Sequence, residues 1–159
     1  MKFVPVALVS ATLIGFSGMA MASSSDTLRG ADRTQIDELL SHAEQAGMTA
    51  FKEMDFEHER GNLEFEVEGW SDDGFELDMT IAAEGGTVLE QSRSRTIEQA
   101  WGLSADQLGT LLDRATSDGF ERISELDLSR SGNIEIEGYD SNNYSIERNY
   151  GFNNLFGNQ

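Results

Sequence analysis

The sequence predicts an α+β fold made of two tandem modules, each a helix packed on a small antiparallel β-meander. Two observations predict it. The chain repeats itself at a constant offset of 72 residues, and in each copy a stretch with helical spacing precedes stretches that alternate apolar and polar residues. Alternation makes one face of each sheet apolar, and the preceding helix is available to cover that face.

The repeat is seen most clearly when LLSHAEQAGMTAFKEMDF (39–56) is aligned with LLDRATSDGFERISELDL (111–128). Further on, GNLEFEVEGW (61–70) aligns with GNIEIEGY (132–139), with one residue missing before the Gly-Asn pair and two more missing inside the strand. Shared composition does not keep such a register across a helix and several strands. We therefore interpret the repeat as an internal duplication.

Each copy begins with a predicted helix. Thr34 is the N-cap candidate of the first helix, with Asp37 three residues on, and Ser104 with Gln107 plays the same part in the second. Glycines at 47 and 119 are placed to end the two helices. Apolar stripes at helical spacing are formed by Ile36, Leu39, Leu40 and Ala43, and by Leu108, Leu111, Leu112 and Ala115.

Strands follow each helix, separated by turn residues. In the first copy the alternating apolar residues are Met54 and Phe56, then Leu63, Phe65 and Val67, then Phe75, Leu77, Met79 and Ile81, with a short fourth strand at 85–91. In the second copy they are Leu126 and Leu128, then Ile134 and Ile136, then Tyr144 and Ile146.

The predicted organisation has six parts. Residues 1–22 resemble a signal peptide, with Lys2, an apolar run at 3–16 and the cleavage pattern Ala20-Met21-Ala22, so we expect a periplasmic or secreted protein with no membrane span after cleavage. The other parts are a flexible segment (23–33), module 1 (34–91), a linker with a short helix at 96–101 (92–103), a divergent module 2 (104–150) and a tail (151–159). The tail lacks periodicity and is expected to be a loose end, although Phe152 and Leu155 are candidates to dock on module 2.

Charge and cysteine content exclude several kinds of function. The formal net charge of −18 repels nucleic acid and anionic membrane surfaces, and it favours cations, basic proteins or basic peptides as partners. The chain has no cysteine, which excludes disulfides and thiol chemistry. No cofactor is predicted.

The candidate binding surface is acidic. Alternation places Glu64, Glu66 and Glu68 on one face of their strand, and Glu76 and Asp78 project to the same side from the next strand. Like charges opposite one another destabilise a sheet, so cations, Arg93 and Arg95, or a basic partner should offset them. The alternative is a solvated outer face screened by salt.

The hairpin turns carry further candidate contacts: Trp70, Asp72, Asp73, Tyr139 and Asp140. The two aromatic residues are either partner anchors or cover for the edge of the core. The acidic residues serve as turn formers, and they lack the D-x-D-x-D-G spacing of a calcium loop. We therefore assign no metal ligand to these turns.

No catalytic residue is assigned. His42 and His58 are outside any H-E-x-x-H motif, and the sequence after the predicted signal peptide has no G-x-S-x-G motif. We therefore expect a protein that is not an enzyme.

The stretches AEQAGMTAFKEMDF, GNLEFEVEGWSDDGFELDM and GGTVLEQ resemble the PepSY family, the peptidase-propeptide and YpeB-like domain. The resemblance covers 36–91 and is weaker over 103–150. Where the family has Asp-Pro-x-Thr-Gly before its last strand, this chain has AAEGGT (82–87). The resemblance implies an exported binding module that recognises a protein or peptide and modulates a peptidase. The alternative is an acidic periplasmic protein that binds or buffers a divalent cation such as Ca²⁺.

Overall fold

The computed structural model describes residues 29–59 and 62–157, so the predicted signal peptide and most of the segment at 23–33 are outside the described residues. The prediction of two separate α+β modules is wrong: the fold is mainly β, with one seven-stranded antiparallel sheet and three small helices. The elements in chain order are α1 (Arg33–Gln45), β1 (Met48–Glu59), β2 (Asn62–Ser71), β3 (Glu76–Ala82), β4 (Val88–Ser94), α2 (Ala105–Ser117), β5 (Arg122–Leu128), β6 (Asn133–Tyr139), β7 (Ser145–Gly151) and α3 (Phe152–Phe156).

The two copies merge because their first strands pair with each other. The strand order is β4-β3-β2-β1-β5-β6-β7, and β1 and β5 are antiparallel with Met54 opposite Leu126. Those two residues are equivalent at the offset of 72. The copies are therefore related by a pseudo-twofold axis that passes through this pair. The sequence predicted β1 only as a short strand around Met54 and Phe56. A strand that short did not suggest that β1 could pair with β2 on one side and with β5 on the other.

Each copy also supplies backbone to the sheet of the other. The Ala31 N–H donates to the Ile123 carbonyl at 2.8 Å, and the Leu103 N–H donates to the Phe51 carbonyl at 2.8 Å. The glycine before each bridge has positive φ, and a Cβ on Gly30 would lie 2.5 Å from the Ile123 oxygen. These reciprocal bridges make the two copies one folding unit with one core on the helix side of the sheet.

Both predicted helices form, with one corrected boundary. Asp32 caps α1 in place of Thr34: its carboxylate accepts from the Gln35 N–H at 2.9 Å, and the Gln35 side chain accepts from the Asp32 N–H at 3.0 Å. The helix starts earlier than predicted because the chain turns into it directly after the bridge at Ala31. Ser104 and Gln107 form the equivalent capping box on α2, as predicted, and both apolar stripes are buried.

Three further expectations are corrected. Strand β4 ends at Ser94 rather than at Gln91, and no helix forms at 96–101, because this stretch leads extended into the bridge at Leu103. The tail is not loose: it forms α3, in which Phe156 is buried. Phe152 and Leu155 pack against the core, so their predicted docking is confirmed.

Within the described parts of the chain, no helix is long and apolar enough to cross a membrane.

Candidate functional site

One face of the sheet carries carboxylates on all seven strands. Cross-strand partners form two rows that run across the whole sheet. From β4 to β7, the first row is Ser92, Asp78, Glu68, Glu53, Asp127, Glu135 and Asn149, and the second row is Glu90, Thr80, Glu66, Asp55, Glu125, Glu137 and Glu147. We call these two rows, with the flanking Glu57, Glu64 and Glu76, the acidic face.

The acidic face lies opposite the face that the helices cover. The buried residues of β1, for example Met54 and Phe56, point to the helices, so alternation directs Asp55 to the other side. Glu66 and Glu125 are exposed at the middle of the second row. A single extended surface of negative charge therefore faces solvent.

The five acidic residues predicted from the sequence all lie on this face: Glu64, Glu66, Glu68, Glu76 and Asp78. They are five of its fourteen acidic residues, because the face continues without a break from β1 into β5. Sequence reasoning missed Glu53, Asp55 and Glu57, although their alternation with Met54 and Phe56 was a usable signal. It missed the contribution of β5, because nothing in the local pattern showed that β5 pairs with β1.

The predicted alignment of the two acidic strands also changes. Glu66 pairs with Asp55, and Glu135 pairs with Asp127, the residue equivalent to Asp55. Glu66 and Glu135 are therefore structural equivalents, at an offset of 69. All three missing residues fall in the hairpin between β5 and β6, which makes the hairpin between β1 and β2 longer.

Lys52 holds carboxylates of the acidic face together in the first copy. A register shift in β1 next to Lys52 lets its ammonium nitrogen lie 2.6 Å from a Glu68 oxygen and 2.7 Å from a Glu76 oxygen. Burial lowers the pKa of Lys52, but these two charged hydrogen bonds outweigh burial and raise it. The equivalent position in the second copy is Ser124, so that copy lacks this cation.

From the sequence, Arg93 and Arg95 were candidates to offset the negative charge of the acidic face. In the structure they do not. Arg93 lies opposite Leu77 on the helix side of β4 and pairs with Asp73. Both guanidinium groups lie over the ring of Phe75, at 4.1 Å and 5.2 Å from its centroid. These arginines brace a hairpin turn and form no ion pair with the carboxylates of the face among the described residues.

Partial burial and neighbouring carboxylates raise the pKa values of five carboxyl groups along the face. Partial burial and then repulsion by Glu57 raise the pKa of Asp55, and partial burial and then repulsion by Glu137 raise that of Glu125. The pKa values of Glu53, Glu66 and Asp78 are raised for the same two reasons, burial first and neighbouring carboxylates second. The face is thus an unfavourable arrangement of like charges that a cationic ligand would relieve.

The two predicted aromatic contacts differ in their availability. Trp70 is 1% exposed, and its indole N–H has no acceptor among the described residues, so it serves packing. Tyr139 is half-buried and lines a depression of about 460 Å³ together with Arg29, Asp55, Glu57 and Ser124. Of the two rings, Tyr139 is the one that a partner can reach.

The acidic turn residues organise the turns. Asp140 accepts from the backbone N–H groups of Asn142 and Tyr144, each at 2.9 Å, and these bonds lower its pKa. Asp73 accepts from the Ser71 hydroxyl at 2.6 Å and pairs with Arg93, and its pKa is lowered as well. Asp72 is exposed in the same turn.

One group of carboxylates in the described residues has the geometry to hold a cation. Oxygen atoms of Glu135, Glu137 and Glu147 all lie within 4.8 Å of one another, at the β6–β7 end of the face. No residue of this group was among the sequence candidates, because the sequence placed the acidic binding surface on the strands of the first copy. His42 lies on α1 beside Gly86, away from these carboxylates, and the side chain of His58 is outside the described residues.

The chain matches no family model and no curated protein. Among solved structures it is similar to the crystal structure of a "putative lipoprotein" from Clostridium difficile 630, with 15% identity over 77% of this chain and 95% of that chain, and a TM-score of 0.36. A similarity at this level says nothing about the fold or the function of the present chain.

Proposed function

We propose that this chain is an exported, PepSY-like binding protein that recognises a cationic segment of another protein or peptide through its acidic face. The observation that carries the proposal is the pair of carboxylate rows across all seven strands, with Lys52 as the basic side chain that forms ion pairs with them in the described residues. The export signal and the resemblance to peptidase propeptides suggest a peptidase of the periplasm or the medium as the partner that it modulates.

Electrostatics supports a charged partner over a neutral one. Burial and then repulsion by neighbouring carboxylates raise the pKa values of Asp55 and Glu125, and an approaching cation stabilises the charged form of both carboxyl groups. A sheet that spaces its strands about 4.8 Å apart presents such carboxylates at regular intervals.

The test is a titration of the purified protein with a fluorescent lysine- and arginine-rich peptide at low and high NaCl. We expect salt-sensitive binding that Glu66→Gln with Glu125→Gln weakens roughly threefold, about 0.3 kcal/mol for each lost charge. The matched control is Glu38→Gln with Glu44→Gln, which removes the same charge from exposed positions of α1. Equal losses in both double variants would mean that net charge, and not the acidic face, attracts the peptide.

A second candidate function is binding of a divalent cation, which the carboxylate group of Glu135, Glu137 and Glu147 favours. Three bidentate carboxylates supply up to six oxygens, the lower limit for Ca²⁺. A ligand that binds only the folded protein raises its melting temperature. We therefore expect Ca²⁺ to raise the Tm of the wild type and not that of Glu137→Gln, and an unchanged Tm in millimolar Ca²⁺ would eliminate this candidate.

A further inference from the structure

The two edges of the sheet are unequal, and the β4 edge is the open one. All seven residues of β4 are exposed, although the strand is paired to β3 along its length. An edge strand presents alternate backbone N–H and C=O groups that no neighbouring strand satisfies. Strand β4 therefore offers a template for one more strand.

On the opposite edge, β7, a charged side chain bonds to the backbone of its own strand. The Arg148 guanidinium donates to the backbone carbonyl of Glu147 at 2.9 Å, which puts a charged side chain on the edge of this strand. The chain then enters α3 directly, where the Phe152 N–H donates to the Gly132 carbonyl at 2.7 Å. The Phe152 bond lies on the β6 side of the strand, so a partner strand would have to displace only the Arg148 contact at β7.

Side chains around β4 define what kind of strand fits. Val88 and Leu89 are large apolar residues that remain 37% and 50% exposed, and Ile97 just beyond the strand is fully exposed. On the other side, Glu90 begins the second carboxylate row, and Asp78 lies one strand further in. An added strand would thus meet apolar side chains near Leu89 and negative charge on the acidic face.

We propose that β4 takes up an extended cationic segment as an eighth strand, with basic and apolar residues in alternation. The proposal rests on the proposed function and names the form in which the cationic partner binds. Backbone hydrogen bonds to β4 supply the register, the basic residues extend over the acidic face, and the apolar residues turn to the helix side beside Val88. A second copy of this chain is a poor occupant, since pairing two β4 strands would join two surfaces of the same negative sign.

The test compares three peptides of alternating lysine and valine. One is unmodified, one is N-methylated on the backbone of every lysine, and one is N-methylated on the backbone of every valine. N-methylation removes backbone donors and keeps every charge. We expect at least one methylated peptide to bind tenfold or more weakly. Hydrogen exchange should show that the unmodified peptide protects amides of β4 and not those of β7.

Two protein variants complete the test. Leu89→Lys places a positive charge on the open edge, and Tyr144→Lys places the same charge at an exposed position beside the other edge. We expect only Leu89→Lys to weaken binding markedly. Strand addition would be overturned if both methylated peptides bound with unchanged affinity and the amides of β4 were not protected. If that binding were still salt-sensitive, the proposed function would stand. Failure of every cationic peptide to bind would overturn both, and a dimer that protects β4 without peptide would assign this edge to a second copy.

Discussion

The two faces of the sheet arise from the same strands and differ in everything that stabilises them. On the helix side, Met54 and Leu126 are fully buried and meet at the pseudo-twofold axis. On the other side, one residue away along each strand, Asp55 lies opposite Glu125, and neither carboxylate forms an ion pair with a described residue. We infer from this difference that burial on the helix side provides the free energy of folding. The like charges of the acidic face lower the stability of the protein, which makes that face the better candidate for function.

The largest effect should come from the buried side of the axis. Leu126→Ala removes a fully buried side chain at the junction of the two copies and leaves a cavity in their common core. We expect a loss of about 3 kcal/mol in the free energy of unfolding, measured by urea denaturation. Because the copies share one core, the transition should remain a single cooperative step. Two separate transitions would show that the copies fold independently.

A smaller loss should follow removal of the cation on the acidic face. Lys52→Gln leaves Glu68 and Glu76 facing each other without their shared ammonium group. We expect destabilisation of about 1 kcal/mol by the same measurement. The control is Arg114→Gln on α2, which breaks an exposed ion pair with Asp118 and should cost less than about 0.5 kcal/mol.

The pH dependence should also separate the two faces. Carboxylates of the acidic face have folded pKa values above their unfolded values, so they bind protons more readily in the folded state, and stability rises as pH falls from neutral through these raised pKa values. Asp73, Asp118 and Asp140 have lowered pKa values, and the stability that they contribute is lost only at more acidic pH. We predict a maximum of Tm in mildly acidic buffer. A Tm that falls steadily below neutral pH would contradict the charge repulsion inferred here.

The smallest effect is that of one carboxylate. Glu66→Gln removes a charge opposite Asp55 and should stabilise the protein by about 0.3 kcal/mol at low salt, with the gain shrinking as NaCl is added. Glu38→Gln on α1 is the control and should change stability less. Thermal unfolding at two salt concentrations measures both.

Local patterns in the sequence predicted local structure well. The helical stripes around Leu39 and Leu111 and the alternation of Glu64, Glu66 and Glu68 were confirmed as elements, and the capping box of α2 was placed at the right residue. The fold class was wrong because pairing between β1 and β5 depends on a contact between distant segments. Alternation specifies which side of a strand is apolar, but it does not specify the neighbour of that strand.

The same limit explains the candidate site. Side-chain alternation predicted the carboxylates of β2 and β3, whereas the full extent of the acidic face depends on β5 lying beside β1. Trp70 and Tyr139 look equivalent in the sequence, yet one is buried and the other half-exposed, because their surroundings come from different segments. Arg93 illustrates the converse error: it is close to the acidic strands in the sequence and lies on the other side of the sheet.

The central claim is that the acidic face, and not the helix side, binds a cationic partner. The most direct measurement is an NMR titration of isotope-labelled protein with a lysine- and arginine-rich peptide. We expect amide shifts to concentrate along the two carboxylate rows, including Asp55 and Glu125, and to disappear in high salt. Shifts confined to α1 and α2, or no shifts at any peptide concentration, would contradict it.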